Sequence, residues 1–253
     1  MPNNLKSIVK EKYSDIARQS QQGCCDTGNG CEIMAESYDT LDGYNPDADL
    51  KLGCGIPIEY AKLRQGQHVL DLGSGAGNDL FVARSEVGET GRLVGLDFSP
   101  EMNQKAEENR RKLGFSNMEF HTGEIEEMPF RDSTFDVILS NCVLNLVPDK
   151  QAAFSEIHRV LKPGGHFAIS DIVTEGTMDK KVQESAELYA GCVSGAIDKE
   201  EYLELIRQTG FKEVAIKQER RIEIPEQWFE EQLGELIPAD DVRIQSITVF
   251  GVK

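Results

Sequence analysis

Several features that mark large protein classes are missing from this sequence. No apolar run approaches the ~20 residues that a membrane-spanning helix needs. The opening Met1-Pro-Asn-Asn-Leu-Lys6 lacks the apolar core of a secretory leader. Basic charge is scarce, with 27 Lys and Arg against 44 Asp and Glu and a net charge of −17. No basic stripe offsets that balance, which argues against nucleic acid as a partner. The one short basic run, Arg110-Arg111-Lys112, ends a polar helix and reads as solvated surface. None of the six cysteines forms a Cys-x-x-Cys pair. The expected setting is cytoplasmic, where those cysteines are reduced thiols and not a disulfide framework. Tryptophan occurs once, at position 228, and there are no internal repeats or low-complexity tracts.

What is present begins with Val69-Leu-Asp-Leu-Gly-Ser-Gly-Ala-Gly-Asn-Asp79, an apolar strand running into a glycine-rich turn. Glycines 73, 75 and 77 let the backbone turn tightly and approach a ligand where a Cβ would collide. A helix starting near Asn78 would aim free N–H groups and its positive end at whatever sits over the turn. Twenty positions past Gly77, a second apolar strand ends in Asp97, placed to accept hydrogen bonds from both ribose hydroxyls. A glycine triplet alone marks only a tight turn, but triplet, strand context and spaced acid together point to a nucleoside ligand. Asp71 before the turn and Asp79 after it would repel the phosphates of a dinucleotide. They suit the ammonium and sulfonium of S-adenosylmethionine.

At 253 residues the chain fits one α/β domain with an appendage. Residues 1–66 read as an N-terminal cap or lid with cysteine-bearing loops: a charged helix from about 5 to 21, a polar glycine-rich stretch 23–31, then a second helical patch near Glu32. Residues 67–253 carry regular strand–helix alternation. Strands are expected at about 67–72, 91–97, 117–122, 134–140, 164–171, 212–218 and 244–251. Helices are expected at about 78–87, 100–113, 149–161 and 198–209. Lys162-Pro-Gly-Gly165 is expected to punctuate the last helix-to-strand connection. The near-continuous apolar strands indicate a doubly wound, mainly parallel seven-stranded sheet with an antiparallel C-terminal strand.

In Gly123-Glu-Ile-Glu-Glu-Met-Pro-Phe130, Glu124 could face the adenine amine and Ile125 the ring, although Glu124 could equally be a helix-start carboxylate. Asn141 ends the fourth strand, where the methyl group should point, or is a strand-end hydrogen-bonder. The segments LDLGSGAG, VGLDFSP, GEIEEMPF and LKPGG resemble class I S-adenosylmethionine-dependent methyltransferases, in the branch that includes quinone C-methyltransferases. The candidate cofactor residues are then Asp71, Gly73, Ser74, Gly75, Gly77, Asn78, Asp97, Phe98, Met102, Gly123, Glu124, Ile125 and Asn141.

Buried cysteine is commonly just a small hydrophobe, but position separates three of the six. Cys142 sits at the carboxyl end of the fourth strand. Cys54 lies in the glycine-flanked loop Leu52-Gly-Cys-Gly55, and Cys192 in a glycine-rich turn after the fifth strand. In such a fold both outer loops cover the cofactor cleft, so the three thiols could converge. Zinc would want a fourth ligand, and His68, His121, His158 and His166 are poorly placed to supply one. Three thiolates suit a soft, pyramidal, three-coordinate centre such as trivalent arsenic.

Leu41-Asp-Gly-Tyr44, Leu52-Gly-Cys-Gly-Ile-Pro57, Ser140-Asn-Cys-Val-Leu-Asn-Leu146 and Glu187-Leu-Tyr-Ala-Gly-Cys-Val-Ser-Gly-Ala196 resemble arsenite methyltransferases. The resemblance implies that Cys54, Cys142 and Cys192 hold arsenic(III), with Cys24 or Cys25 as a fourth thiol. It also implies S-adenosyl-L-methionine as cofactor, arsenite or its thiol adducts as substrate, and a thiol reductant. A monomer is the default, and no resident metal is expected. Two other readings stand beside this one. A methyltransferase acting on carbon or oxygen of a small acceptor such as a quinone would want an acid/base residue, for which Tyr38, Tyr44 and His158 are the candidates. A protein that merely sequesters the metalloid would leave the cofactor motif without a use.

Overall fold

Strands whose side chains alternate between two covered faces must be apolar on both, and this sheet obeys that rule. Leu70 and Leu72 of the first strand point into one core, and Val69 points into the other. The computed structural model describes residues 2–19, 34–176, 195–223 and 243–253. The elements there are α1 (Pro2–Gln19), β1 (His68–Leu72), α2 (Asn78–Val87), β2 (Arg92–Asp97), α3 (Pro100–Leu113), β3 (Met118–Thr122), β4 (Phe135–Asn141), α4 (Lys150–Val160), β5 (Leu161–Thr174), α5 (Lys199–Gln208), β6 (Lys212–Ile222) and β7 (Ile244–Val252).

The seven strands form one sheet in the order β3-β2-β1-β4-β5-β7-β6. The pairs from β3 through β5 are parallel, and β7 runs antiparallel to both β5 and β6. This is the expected doubly wound fold, and the predicted strands and helices lie close to the observed ones. One expectation needs correction. Lys162-Pro-Gly-Gly165 does not interrupt the chain, because β5 runs from Leu161. Leu161 already pairs with Phe135, a bulge between Phe135 and Val137 absorbs the irregular residues, and Gly165 O accepts from Lys253 N–H at 2.9 Å.

α4 and α5 cover one face of the sheet through Phe154, Ile157, Tyr202 and Ile206. α2 covers the other, joined by Tyr38, Ile56, Ile58 and Ala61 from the segment before β1. α3 starts on a Ser99 cap, whose Oγ accepts the Met102 N–H at 3.3 Å, and passes into a left-handed Gly114. Arg110, read from the sequence as solvated, donates to Phe115 O at 2.6 Å just past the helix end. Its neighbour Glu107 holds it there through a second ion-paired contact, so the run is only partly surface.

α1 carries its apolar residues at Val9, Tyr13, Ile16 and Ala17, one stripe at helical spacing. That stripe meets Met102 of α3 and the partly buried Leu50, Leu52, Phe98 and Leu146. Polar ties fix the same docking, since Ser14 Oγ and Arg18 both donate to Glu101, at 2.9 and 2.7 Å. α1 thereby lies across the carboxyl end of the sheet. Cys24, Cys25, Cys31, Cys192 and Trp228 lie outside the described residues.

Candidate active site

The chain leaves β1 and β4 towards opposite edges of the sheet, which opens a crevice beyond their carboxyl ends. The cavity there is lined by residues 73–76 of the glycine turn, Asn78 and Asp79, the β2 end at residues 96–98, and residues 123–126. Asn141, Cys142 and Val143 supply another wall. Residues 48–53 and Lys6, Val9 and Tyr13 of α1 close it from above.

Glycine is required at the base of this wall. Gly73 has φ +67°, and a Cβ there would meet Val143 Cγ2 at 2.3 Å. The N–H of Gly75 donates to Asp97 Oδ2 at 2.9 Å, and the N–H of Ser99 donates to Oδ1 at 2.8 Å. Each carboxylate oxygen keeps accepting capacity for a ligand hydroxyl. Burial pushes Asp97 up to about 6, against the pull of those two N–H groups. Asp79 is likewise raised to about 6 by burial, although Tyr38 and Asn141 favour its charged form. Asp71, fully buried beside both, is held well above the usual carboxylate range by burial and then by their negative charge.

Three confined carboxylates of this kind suit a cationic ligand, which would offset their mutual repulsion. Ser74 Oγ and Asn78 Oδ1 are buried without a hydrogen-bond partner, and both residues line the cavity. Such orphaned atoms are what a polar ligand would satisfy. The donor set therefore fits an adenosyl ligand that carries an amino-acid end.

Of the sequence-predicted residues, Gly73, Ser74, Gly75, Asn78, Asp97, Phe98, Gly123, Glu124, Ile125, Asn141 and Cys142 meet in the cavity wall. Asp71, Gly77, Met102 and Cys54 are not in it. Asp71 lies within β1 under the turn, and Gly77 forms the left-handed start of α2. Met102 is covered by Ile16 and Ala17 of α1. Glu124 is in the wall but engaged by Lys6 Nζ at 2.5 Å, and Lys6 also pairs with Glu126 at 2.9 Å.

The acceptor end is organised by Asn141. Its Nδ2 donates to Tyr38 Oη and to Gly55 O, both at 2.8 Å, and its Oδ1 accepts the Cys54 N–H at 3.0 Å. Gly53 approaches so closely that a Cβ there would meet Asn141 Nδ2 at 2.5 Å. Cys54 O accepts from Ser246 Oγ of β7 at 2.5 Å and from Arg220 of β6 at 3.4 Å. Cys142 turns off the end of β4 with φ +61°, an uncommon backbone for a residue with a side chain, and its N–H donates to Ser170 O at 2.7 Å. Both cysteines are buried. Nearby in the core, the Tyr202 hydroxyl donates to Asp171 Oδ2 at 3.0 Å, and burial and Asp171 hold that phenol well above its usual range.

Sequence reasoning missed Lys6 and Tyr13, for which spacing carries no signal. It weighed Tyr38 only as an acid/base group, whereas the hydroxyl of Tyr38 donates to Asp79 at 2.7 Å. Of the other two acid/base candidates, His158 packs edge-on against Phe211 on the α4–α5 face, and Tyr44 donates to Asp49 at 3.1 Å.

Comparison with known proteins places this chain in a family. The family model for a methyltransferase domain matches residues 63–210. An arsenite methyltransferase of Halobacterium salinarum is 41% identical over 232 residues, which cover 85% of this chain and 59% of that protein. One of Aquipseudomonas alcaligenes is 31% identical over 243 residues, covering 91% and 69%. The crystal structure of an arsenic(III) S-adenosylmethionine methyltransferase from Chlamydomonas reinhardtii superposes with a TM-score of 0.68 at 33% identity, covering 89% of this chain and 73% of that one. This chain spans about three fifths of the length of the Halobacterium relative. The likeness to these relatives runs well beyond the matched methyltransferase domain, and the chain belongs to the arsenite methyltransferases, within the class I methyltransferase superfamily.

Proposed function

We propose that this protein transfers the methyl group of S-adenosylmethionine to trivalent arsenic held on cysteine thiolates, giving methylated arsenicals. The observation that carries the reading is that Cys142 stands in the wall of the same cavity as Asp97, Gly75 and the orphaned Ser74 and Asn78 atoms. A thiol there can bring a bound metalloid against a ligand anchored by those groups.

S-adenosylmethionine, when bound, supplies an electrophilic methyl on a sulfonium. Asp97 would hold the ribose, the glycine turn would take the backbone-facing edge, and Asp71 and Asp79 would offset the positive charge. Met102 and Gly77 would support the pocket from behind its wall. Arsenite, entering as a hydroxide or a thiol adduct, would exchange its ligands onto Cys142, Cys54 and Cys192, each thiol proton leaving with the displaced hydroxide as water. The arsenic lone pair would then attack the methyl carbon as its bond to sulfur breaks and S-adenosylhomocysteine leaves, so no general base would be needed, and catalysis would be positioning of two bound partners. Transfer formally takes arsenic from +3 to +5, so a thiol reductant must restore +3 before a further round. We also read the protein as a cytoplasmic monomer with a cap over residues 1–66. Cys24 or Cys25 is the candidate fourth thiol.

The test is arsenite-dependent conversion of S-adenosylmethionine to S-adenosylhomocysteine in the presence of glutathione, with arsenic speciation, for wild type beside Cys142→Ser. Methylated arsenic from wild type alone supports the reading. Full activity in Cys142→Ser overturns it.

A further inference from the structure

A single run of hydrogen bonds joins the two halves of the site. Asp79 Oδ1 accepts from Tyr38 Oη at 2.7 Å, and Tyr38 Oη accepts from Asn141 Nδ2 at 2.8 Å. Asn141 Oδ1 in turn accepts from Cys54 N–H at 3.0 Å, and Asn141 Nδ2 also holds Gly55 O. Tyr38 and Asp79 are buried, and Asp79 faces the cavity beside the glycine turn. At the far end, the Cys54 loop touches Asn141 so tightly that only glycine fits at position 53.

We propose that Tyr38 and Asn141 are positioning residues that couple the charge of the bound methyl donor to the placement of the Cys54 loop, so that the metalloid is captured in preference by the donor-loaded protein. The inference rests on the function proposed above. A cation drawn to Asp71 and Asp79 keeps Asp79 ionised, and a charged acceptor makes a shorter and stronger bond to the Tyr38 hydroxyl. Tyr38, with its own proton committed to Asp79, then presents its lone pair to Asn141. Asn141 is thereby fixed in the orientation that clamps both Cys54 N–H and Gly55 O. Loss of the sulfonium charge on methyl transfer removes that bias, so the loop holding the arsenic is loosened once the product has formed.

The experiment is arsenite binding by equilibrium dialysis in the presence of saturating sinefungin or S-adenosylhomocysteine. Sinefungin carries an amine cation where the sulfonium sits and cannot donate a methyl, so no turnover intrudes. We expect wild type to bind arsenite about fivefold or more tightly with sinefungin. In Tyr38→Phe and Asn141→Ser the ratio should fall close to one while S-adenosylhomocysteine still binds, which shows that the fold is intact. Equal arsenite affinity with the two ligands in wild type, or a ratio kept in both variants, would overturn the coupling and leave the proposed function standing. A wild type that binds arsenite with neither ligand would overturn both.

Discussion

Lys6 of the N-terminal helix reaches Glu124 at the far rim of the cavity, Nζ to Oε2 at 2.5 Å, across 118 positions of sequence. With Glu126 as its second partner, Lys6 ties α1 down over the ligand site. The pairs are partly exposed, with side-chain exposures of 34% for Lys6 and 57% for Glu124, so each bond is a weak one. Together they are worth about 1 kcal/mol, or about fivefold in a rate. Lys6→Ala should therefore release S-adenosylhomocysteine a few-fold faster in stopped flow. Raising the salt concentration should speed wild type towards the variant.

Asp97 sits at the end of β2 with one backbone N–H on each oxygen, so its orientation does not depend on the ligand. Hydrogen bonds to a charged acceptor are worth about 1.5–3 kcal/mol each. Asp97→Ala should weaken S-adenosylhomocysteine binding about 10- to 100-fold in calorimetry. An unchanged affinity would remove the ribose role from this residue.

Acidification should act in opposite directions on the empty and the loaded protein. Burial raises Asp79 and Asp97 to about 6 and Asp171 to about 7, the last opposed by Lys150. A carboxyl raised in the folded state favours folding when protonated, and that contribution is lost as pH rises through its folded value. The ligand-free protein should therefore melt at a higher temperature at pH 5.5 than at pH 7.5. Ligand affinity should fall over the same interval, because the ribose hydroxyls would need Asp97 ionised. The two trends can be read from one set of melting curves with and without S-adenosylhomocysteine.

Gly53→Ala introduces a Cβ 2.5 Å from Asn141 Nδ2. The clamp on the Cys54 loop must then open, while the glycine turn and Asp97 are untouched. Arsenite binding should drop at least tenfold with S-adenosylhomocysteine affinity changed less than twofold. Equal losses of both would mean that the change disturbs the whole cavity wall and not the Cys54 loop alone.

The cofactor half was legible because its signals are local. The glycine turn, its helix start and Asp97 follow one another within a single strand–helix–strand unit, and backbone chemistry fixes their arrangement. Met102 was misplaced because a helix from far upstream covers it, and hydrophobic periodicity does not name its partner. The sequence leaves Asn141 as either a ligand contact or a strand-end hydrogen-bonder; it lines the cavity, and its polar atoms are directed to Tyr38, Cys54 and Gly55. Those partners lie between 86 and 103 positions away in sequence, beyond the reach of any spacing rule. The left-handed backbone of Cys142 was equally hidden, since a cysteine carries no signal for it.

The hold of Ser246 and Arg220 on the Cys54 carbonyl sets an order of assembly. The donor-binding half closes on contacts among β1, β2 and β3, which are near neighbours in sequence. The Cys54 carbonyl waits for partners 166 and 192 positions downstream. A chain emerging from the ribosome can thus shape its nucleoside pocket long before the thiol loop is fastened. During that interval the Cys54 loop lacks the contacts that bury it in the finished fold, and it gains them only when β7 arrives.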